Sequence, residues 1–311
     1  MQIVFWAMPI FIVMILIEWL LTRDHDRKIY HLKDSAASIL MGVGSVVITF
    51  GLKFMALGIF YLVYQFRIFD IPHTAWWAWV VLIPAEDLCY YWYHRTGHQV
   101  RLLWAGHVNH HSSRKYNLST ALRQSWTTPL FSWIFWVPLP LLGFNPLMVV
   151  IAQSVSLSYQ FWIHTEMVDR MGPFGWVFNT PSHHRVHHGS NPKYLDRNHG
   201  GILIIWDRMF GTFEPETHRP DYGLTRNIDS YNLFVVAFHE WRDIAKDLRG
   251  AKTWRGRLGY LFAPPGWRED GTGKTSRMLR EEAIQAEQAS EAGVQPTEPE
   301  SEALSSRAPA T

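Results

Sequence analysis

Histidines at metal-ligand spacing are the residues of this sequence with the clearest chemical potential. The chain has 16 histidines, and eleven of them fall between positions 94 and 199. Residues four apart on a helix lie on one face, so two imidazoles at that spacing can chelate a metal ion. Three boxes have this spacing: His94-x-x-x-His98, His107-x-x-His110-His111 and His184-x-x-His187-His188. His164, at the end of an apolar stretch, is a ninth candidate ligand.

Nine imidazoles exceed the four ligands of a structural zinc site, and they predict two ions with open positions for water, oxygen or substrate. An all-imidazole set suits zinc, copper, iron or nickel, so ligand type alone does not select the metal. Redox chemistry would require iron or copper, whereas hydrolysis would allow zinc. The single cysteine excludes a disulfide scaffold and any cysteine-based zinc or iron–sulfur site.

The elements that must position these histidines are apolar. Charged residues make up only 18% of the chain and aromatic residues 15%. Long apolar stretches are typical of membrane spans, which need about 20 residues each. Five stretches precede the last box: Ile3 to Leu21, Ala36 to Val63, Ala75 to Tyr93, Trp126 to Leu142 and Leu147 to Trp162. The last two are short and rich in proline, so a re-entrant hairpin is an alternative to two full spans.

The distribution of basic residues predicts the orientation of the chain across the membrane. The loops 22–37 and 94–125 hold four and five Lys or Arg residues, whereas the N-terminus has none before position 23. By the positive-inside rule these loops are cytoplasmic. We therefore expect an all-α integral membrane protein, a bundle of about four to five transmembrane or re-entrant helices with a cytoplasmic helical cap that holds a dinuclear metal site. Residues 1–267 would form the catalytic domain and 268–311 a disordered tail.

Polar residues near the boxes are further candidates. Asp87 lies two turns before His94, where it could accept the N–H of a ligand imidazole. Arg114, Lys115 and Arg123 would lie near a lipid headgroup, or serve only as positive-inside residues. A net charge of +2 does not indicate nucleic-acid binding.

The order of the boxes and their flanks resembles the fatty acid hydroxylase / sterol desaturase superfamily. The flanks that carry the likeness are Asp87-Leu-Cys-Tyr-Tyr-Trp-Tyr-His94-Arg95, Thr180-Pro181-Ser-His-His184 and Trp206-Asp207-Arg-Met-Phe210-Gly211-Thr212. Within the superfamily, the chain is similar to the alkylglycerol monooxygenase-like branch. The segments from His110 to Ser125, from Gln160 to Glu166 and from Asn179 to Gly189 carry that likeness.

The resemblance implies a membrane non-haem di-iron oxygenase that uses two iron ions and O2 on the cytoplasmic side of a bacterial inner membrane or an ER-type membrane. It assigns ligand roles to the nine histidines and leaves His183 open. His199 is equally a tenth ligand or part of a loop turn. Asp87, Glu166 and Asn117 are the expected catalytic residues. The expected partners are a lipid from the bilayer and an electron donor, either a tetrahydropterin or another reductant.

The leading hypothesis is therefore an O2-dependent lipid hydroxylase, with ether-lipid cleavage if the branch likeness holds. One alternative keeps the fold and has it desaturate or hydroxylate a sterol, a carotenoid or a fatty acyl chain. A second alternative is a metal transporter or storage protein without oxidase activity, and a third is a di-zinc hydrolase. A transporter needs ligands along a path across the membrane, whereas these boxes are predicted at one face only.

Overall fold

The computed structural model describes residues 2–23 and 28–291, and for residues 2–7 it describes the backbone alone. Within these ranges the regular secondary structure is helical, and two isolated β-bridges occur in addition. The α-helices are α1 (Gln2–Thr22), α2 (Leu32–Tyr64), α3 (Trp76–Gln99), α4 (Arg101–Trp104), α5 (Val108–His111), α6 (Pro138–Leu142), α7 (Pro146–Trp162), α8 (Phe174–Val177), α9 (Pro181–His187), α10 (Ile205–Met209), α11 (Leu233–Gly250), α12 (Trp254–Phe262) and α13 (Ser276–Glu291). Short 3-10 helices cover Leu118–Leu122, Thr128–Leu130, Ser132–Trp136 and Pro192–Tyr194.

Helix α2 is long and apolar enough to cross a membrane, and it alone passes that test among the described residues. Its 33 residues extend about 50 Å, against a hydrocarbon core of about 30 Å. Two shorter apolar helical stretches occur at Met8–Thr22 and Ser132–Leu142. Large side chains on α2, such as Val47 at 72% and Phe50 at 55%, are exposed. A contiguous exposed apolar face of this size is typical of a surface that meets lipid or protein.

The predicted stretch from Trp126 to Leu142 is not one helix. It consists of two 3-10 helices followed by α6. Prolines at 129, 138 and 140 remove backbone donors and prevent a continuous helix. The chain then turns at Gly143, whose φ is +115° and where a Cβ would lie 2.0 Å from the Phe69 oxygen. The following stretch forms α7, so the two segments make a tight hairpin.

The largest apolar core joins α2, α3, α6 and α7. Phe60, Leu82, Leu139 and Val149 are all buried in it. A second cluster packs Ile15 of α1 against the Leu118–Leu122 turn and α7. The membrane-type helices therefore pack into the same body that carries the histidine boxes.

Two buried carboxylates connect this bundle to the second histidine box. Asp34 of α2 forms a 2.7 Å ion pair with Arg123, which is 1% exposed. Glu18 of α1 accepts the backbone N–H of Leu118 at 2.8 Å. Arg123 is therefore buried and paired with Asp34 inside the protein. The expectation that it lies beside a lipid headgroup is wrong.

Part of the segment expected to be disordered is helical. Helix α13 lies within 268–311, and Arg280 donates to the Leu195 oxygen at 2.9 Å, next to the loop that borders the histidines. Residues 292–311 lie outside the described part of the chain. The division into 1–267 and 268–311 stays a prediction.

Candidate metal centre

The nine histidines predicted from the boxes and from His164 lie in two compact groups. In each group, one ligand atom from every residue lies within 4.8 Å of those of the others. Group one contains His94, His98, His107, His111 and His187. Group two contains His110, His164, His184 and His188. The groups adjoin, because the rings of His111 and His188 stack with centroids 4.5 Å apart.

The two longer boxes divide their ligands in opposite ways. The second box gives its i, i+4 pair, His107 and His111, to group one and the residue between, His110, to group two. The third box gives its i, i+4 pair to group two and His187 to group one. Neighbouring residues on a helix point about 100° apart, so adjacent histidines serve different groups. The His-His dipeptide is therefore the feature that lets one short helix reach both.

The ring nitrogens converge at metal-ligand spacing. Nε2 of His107 lies 3.0 Å from that of His94 and 3.1 Å from that of His111. In group two, Nε2 of His164 lies 3.2 Å from that of His110 and 3.0 Å from that of His184. Two nitrogens bound at about 2.1 Å and at right angles to each other would be about 3 Å apart. The spacing fits ion coordination.

Burial favours the neutral form of His107, His111, His164 and His187, which is the form that binds a metal. Loss of water lowers the pKa of His164 to about 4, despite acceptors nearby. Burial and the neighbouring rings hold the pKa of His107, His111 and His187 well below the usual range. Nε2 of His187 is buried without a hydrogen-bond partner. An unprotonated, unpartnered buried nitrogen is what an ion site requires.

A loop at residues 195–201 orients three ligands of group one. The carbonyl of His199 accepts from His94 Nδ1 and that of Arg197 accepts from His187 Nδ1, both at 2.8 Å. The Asp196 carboxylate lies 3.4 Å from His98 Nδ1. A hydrogen bond at Nδ1 leaves the lone pair on Nε2, facing the group. We call this segment the support loop.

Two buried carboxylates hold the support loop and the turn after it. Asp207 accepts the backbone N–H groups of His199 and Gly200, each at 2.7 Å. Asp87 accepts those of Ile202 at 2.6 Å and Leu203 at 2.9 Å. Asp87 therefore does not accept from a ligand imidazole as expected; it acts on the ligands through the loop. Gly201 permits this approach, because a Cβ there would lie 2.6 Å from the Asp87 carboxylate.

The other two expected catalytic residues lie away from the histidine nitrogens. Asn117 caps the Leu118–Leu122 turn, accepting from Ser119 N at 3.0 Å, and donates to the Ile29 oxygen. Its role in this structure is therefore a helix cap. Glu166 pairs with Arg219 at 3.0 Å, on the wall of a cavity. Among the described residues, neither side chain forms a hydrogen bond with a histidine, and the catalytic assignments of Asn117 and Glu166 stay predictions.

His199 and His183 lie outside both groups. The His199 ring is 5.1 Å from that of His98, fully buried, and neither of its nitrogens has a partner among the described residues. The backbone carbonyl of His199 accepts a hydrogen bond from His94. The role of the His199 imidazole as a metal ligand stays a prediction. His183 packs against Phe213. Burial lowers the pKa of His183 to about 4.

Sequence reasoning missed the support-loop residues Asp196 and Arg197 and gave no role to Asp207. The available signal was the turn-prone Asp196-Arg-Asn198-His-Gly200, where Asp196 and Asn198 adopt positive φ values of 55° and 54°.

In the described part of the chain, which is helical, the three boxes and His164 build two adjoining groups of buried or half-buried imidazoles, the arrangement of a histidine-box metal site. Residues 79–212, which contain the three boxes and His164, match the Fatty acid hydroxylase family model. This part of the chain is therefore similar to the fatty acid hydroxylase family.

The similarity to known proteins extends beyond residues 79–212. The chain is 40% identical to an alkylglycerol monooxygenase of Homo sapiens over 89% of its own length and 62% of that protein. It is 41% identical to an alkylglycerol monooxygenase of Danio rerio, over 84% and 59% respectively. An ornithine lipid hydroxylase of Rhizobium tropici is 31% identical over 52% of the chain and 50% of its own length. The chain thus spans about three fifths of the length of the alkylglycerol monooxygenases that it matches. No solved structure matches it significantly.

Proposed function

We propose that this chain is a membrane monooxygenase that hydroxylates a C–H bond of a lipid with O2, using two iron ions held by the two histidine groups. The observation that carries the proposal is the pair of adjoining, buried imidazole groups within a fatty acid hydroxylase domain. The similarity to alkylglycerol monooxygenases supports an alkylglycerol, which is an ether lipid, as substrate. The electron donor in this proposal is a tetrahydropterin or another reductant.

Group one would hold one iron through its five histidines and group two the other through its four, with His199 as an additional candidate beside group one. Bound iron would supply the activation of O2 and the attack on the C–H bond. The chain's own contribution is orientation, because the support loop and the Gln160 carbonyl, 2.7 Å from His164 Nδ1, fix which ring nitrogen faces each group.

Exclusion of water is the second contribution of the chain. Eight of the nine histidines are buried, and His107 is half-buried. Tyr116, which is 1% exposed, packs with its ring centroid 5.1 Å from that of His188. A dry site protects a reactive oxidant from side reactions. Hydroxylation of the carbon next to an ether oxygen would give a hemiacetal, which separates into an aldehyde and a glycerol.

The chain would be an integral membrane protein with about four to five transmembrane or re-entrant segments. Helix α2 and the exposed apolar side chains of α1 and α3 support membrane association. The basic loops support a cytoplasmic position for the histidine groups, in a bacterial inner membrane or an ER-type membrane.

The test of function is incubation of the purified, iron-loaded chain with an O-alkylglycerol, a reductant and 18O2. We expect one labelled oxygen per turnover in the aldehyde or the lipid product. Equal activity without oxygen, or no label in an aldehyde that is reduced to the alcohol as it forms, would contradict the proposal and favour a hydrolase.

The test of the metal site is a matched set of variants: His110→Ala, His187→Ala and, as control, the exposed His73→Ala. His110 is the one ligand that the second box gives to group two, and His187 is the one that the third box gives to group one. We expect each of the first two variants to bind about one ion fewer per chain, by mass spectrometry, and the control to bind the full amount. Full metal content in both ligand variants would refute the site.

A further inference from the structure

A charged cleft lies beside group two and has no role in the function proposed so far. It consists of two adjoining cavities of about 530 and 250 Å³ that share Glu166, Arg219 and Tyr222 in their walls. We call it the basic cleft, because six cationic side chains line it against three carboxylates, an excess of three positive charges. The cations are Lys28, Arg114, Lys115, Arg170, Arg185 and Arg219.

Two of the three carboxylates of the cleft are already paired with arginines, and Asp169 is the third. Arg185 pairs with Glu216 at 2.8 Å and Arg219 pairs with Glu166 at 3.0 Å. Arg114 pairs with Asp229 outside the lining. The lysines are different, because Lys115 Nζ donates to the backbone oxygen of Lys28 at 2.7 Å rather than to a carboxylate. Their positive charge in the cleft is therefore available to an anion.

A stacked aromatic pair connects the cleft to the histidines. The rings of Tyr222 and Tyr116 lie parallel, with centroids 4.9 Å apart and an interplanar angle of 10°. Tyr222 lines both cavities, and Tyr116 lines the smaller one and contacts the His188 ring on its other side. The cleft is thus separated from group two by the thickness of about one aromatic ring.

We propose that the basic cleft binds a phosphate group, and that the lipid substrate is an O-alkyl glycerol phosphate held there by its headgroup. This proposal rests on the proposed function. In such a lipid, six bonds separate the phosphorus from the first carbon of the alkyl chain, a reach of roughly 7 Å. That reach exceeds the 5.1 Å between the ring centroids of His188 and Tyr116, and Tyr116 lines the smaller cavity. A phosphate in the cleft is therefore compatible with an ether carbon close to group two.

The test is a binding measurement that needs no turnover. The full chain, in nanodiscs of neutral phosphatidylcholine, is titrated with radiolabelled 1-O-hexadecylglycerol 3-phosphate and, separately, with 1-O-hexadecylglycerol. We expect the phosphate lipid to bind at least about tenfold more tightly, because a charge-assisted contact is worth about that factor. Equal Kd values for the two lipids would overturn the proposal.

Variants locate the site. The double variant Lys28→Ala/Lys115→Ala should weaken binding of the phosphate lipid about tenfold or more and reduce the ratio of the two Kd values. The control Lys246→Ala/Lys252→Ala removes two exposed lysines of α11 and the turn that follows it, and should leave the ratio as in the unchanged chain. A ratio that neither pair changes, or that both change equally, would overturn the proposal.

Competition with inorganic phosphate identifies the source of the anion. If unlabelled phosphate lipid displaces the bound phosphate lipid and millimolar inorganic phosphate does not, the cleft binds a lipid headgroup. Displacement by inorganic phosphate with a similar Kd assigns it to a free phosphate compound and refutes the substrate class. The 18O2 experiment fails or succeeds independently of these measurements, so failure of the function and failure of the cleft are distinguishable.

Discussion

Asp196 combines a backbone φ of +55° with a carboxylate 3.4 Å from His98 Nδ1. Aspartate and asparagine tolerate the left-handed region better than other residues with a Cβ. The residue therefore turns the support loop and also places a carboxylate beside a ligand of group one. This double requirement makes the position sensitive to side-chain charge in a way that can be separated from backbone strain.

The substitution Asp196→Asn keeps the tolerance for positive φ and removes the charge. We expect the metal affinity of group one to fall about tenfold to a hundredfold, because the carboxylate no longer supports the His98 imidazole. Competition with a chelator measures this. The control is Asp229→Asn, at an exposed residue that also has a positive φ. Equal affinities for all three proteins would show that Asp196 only shapes the loop.

At the scale of elements, α3 supplies both ligands and anchors. It carries His94 and His98 at its C-terminal end and, two turns earlier, the carboxylate of Asp87. That carboxylate accepts the Trp206 indole N–H at 2.9 Å in addition to two backbone N–H groups. One helix thus fixes the position of the support loop relative to the ligands that it presents.

The substitution Asp87→Asn should loosen this connection. One amide nitrogen would face donors, so we expect the free energy of unfolding to fall by about 2–4 kcal/mol and the backbone N–H groups of 202 and 203 to exchange faster with solvent. Thermal unfolding and hydrogen exchange measure the two effects. Asp70→Asn, at a residue whose side chain is 86% exposed, is the control and should change stability by less than about 0.5 kcal/mol. Unchanged exchange at 202 and 203 would contradict the anchoring role.

The sequence predicted the elements better than their connections. The spacing of His94 and His98 is local, so helix geometry alone places them on one face, and α3 forms as expected. The division of His110 and His111 between two groups depends on how α5, α7 and α9 pack, which local spacing does not encode. Asn117 and Glu166 were assigned by motif likeness, and their partners, Ser119 and Arg219, are apparent only from the folded chain. The prolines of the stretch from 126 to 142 indicated a re-entrant hairpin as an alternative to a full span, and the structure divides this stretch into two 3-10 helices and α6.

At the scale of the whole molecule, an apolar exterior and a polar interior coexist. Exposed large apolar side chains continue from α1 over α2 to α3, whereas buried histidines and carboxylates occupy the adjoining part of the fold. We expect the chain to stay in the membrane fraction after extraction with alkaline carbonate and to be released by detergent. The control is a peripheral membrane protein in the same preparation, which carbonate should release. Release of this chain by carbonate would contradict the spanning role of α2.

Stability should depend on pH when the metal is absent. The folded state holds the pKa of His164 at about 4 because of burial, against 6.5 for an ordinary histidine. Between these values the unfolded chain binds more protons, so stability is complete above pH 6.5 and falls as the pH falls towards 4. His164 alone would contribute a loss of about 3 kcal/mol by pH 4.

Denaturant unfolding of the metal-free chain at several pH values measures this loss, with the metal-loaded chain as the comparison. The loaded chain should resist acid to a lower pH, because protons must compete with the ions. Stability of the metal-free chain that does not change between pH 7 and pH 4 would contradict the buried, neutral state of these rings.

The reciprocal division of the two longer boxes gives the histidine centre an internal symmetry. Either box alone provides at most two histidines to any one group, fewer than the three protein ligands of a typical catalytic ion. Together they provide three to each group, an arrangement with approximate twofold equivalence. Helix α3 then adds two ligands to one side, and His164, two residues after α7, adds one to the other. The centre therefore has a symmetric core of six histidines, to which His94 and His98 on one side and His164 on the other add unequal numbers of ligands.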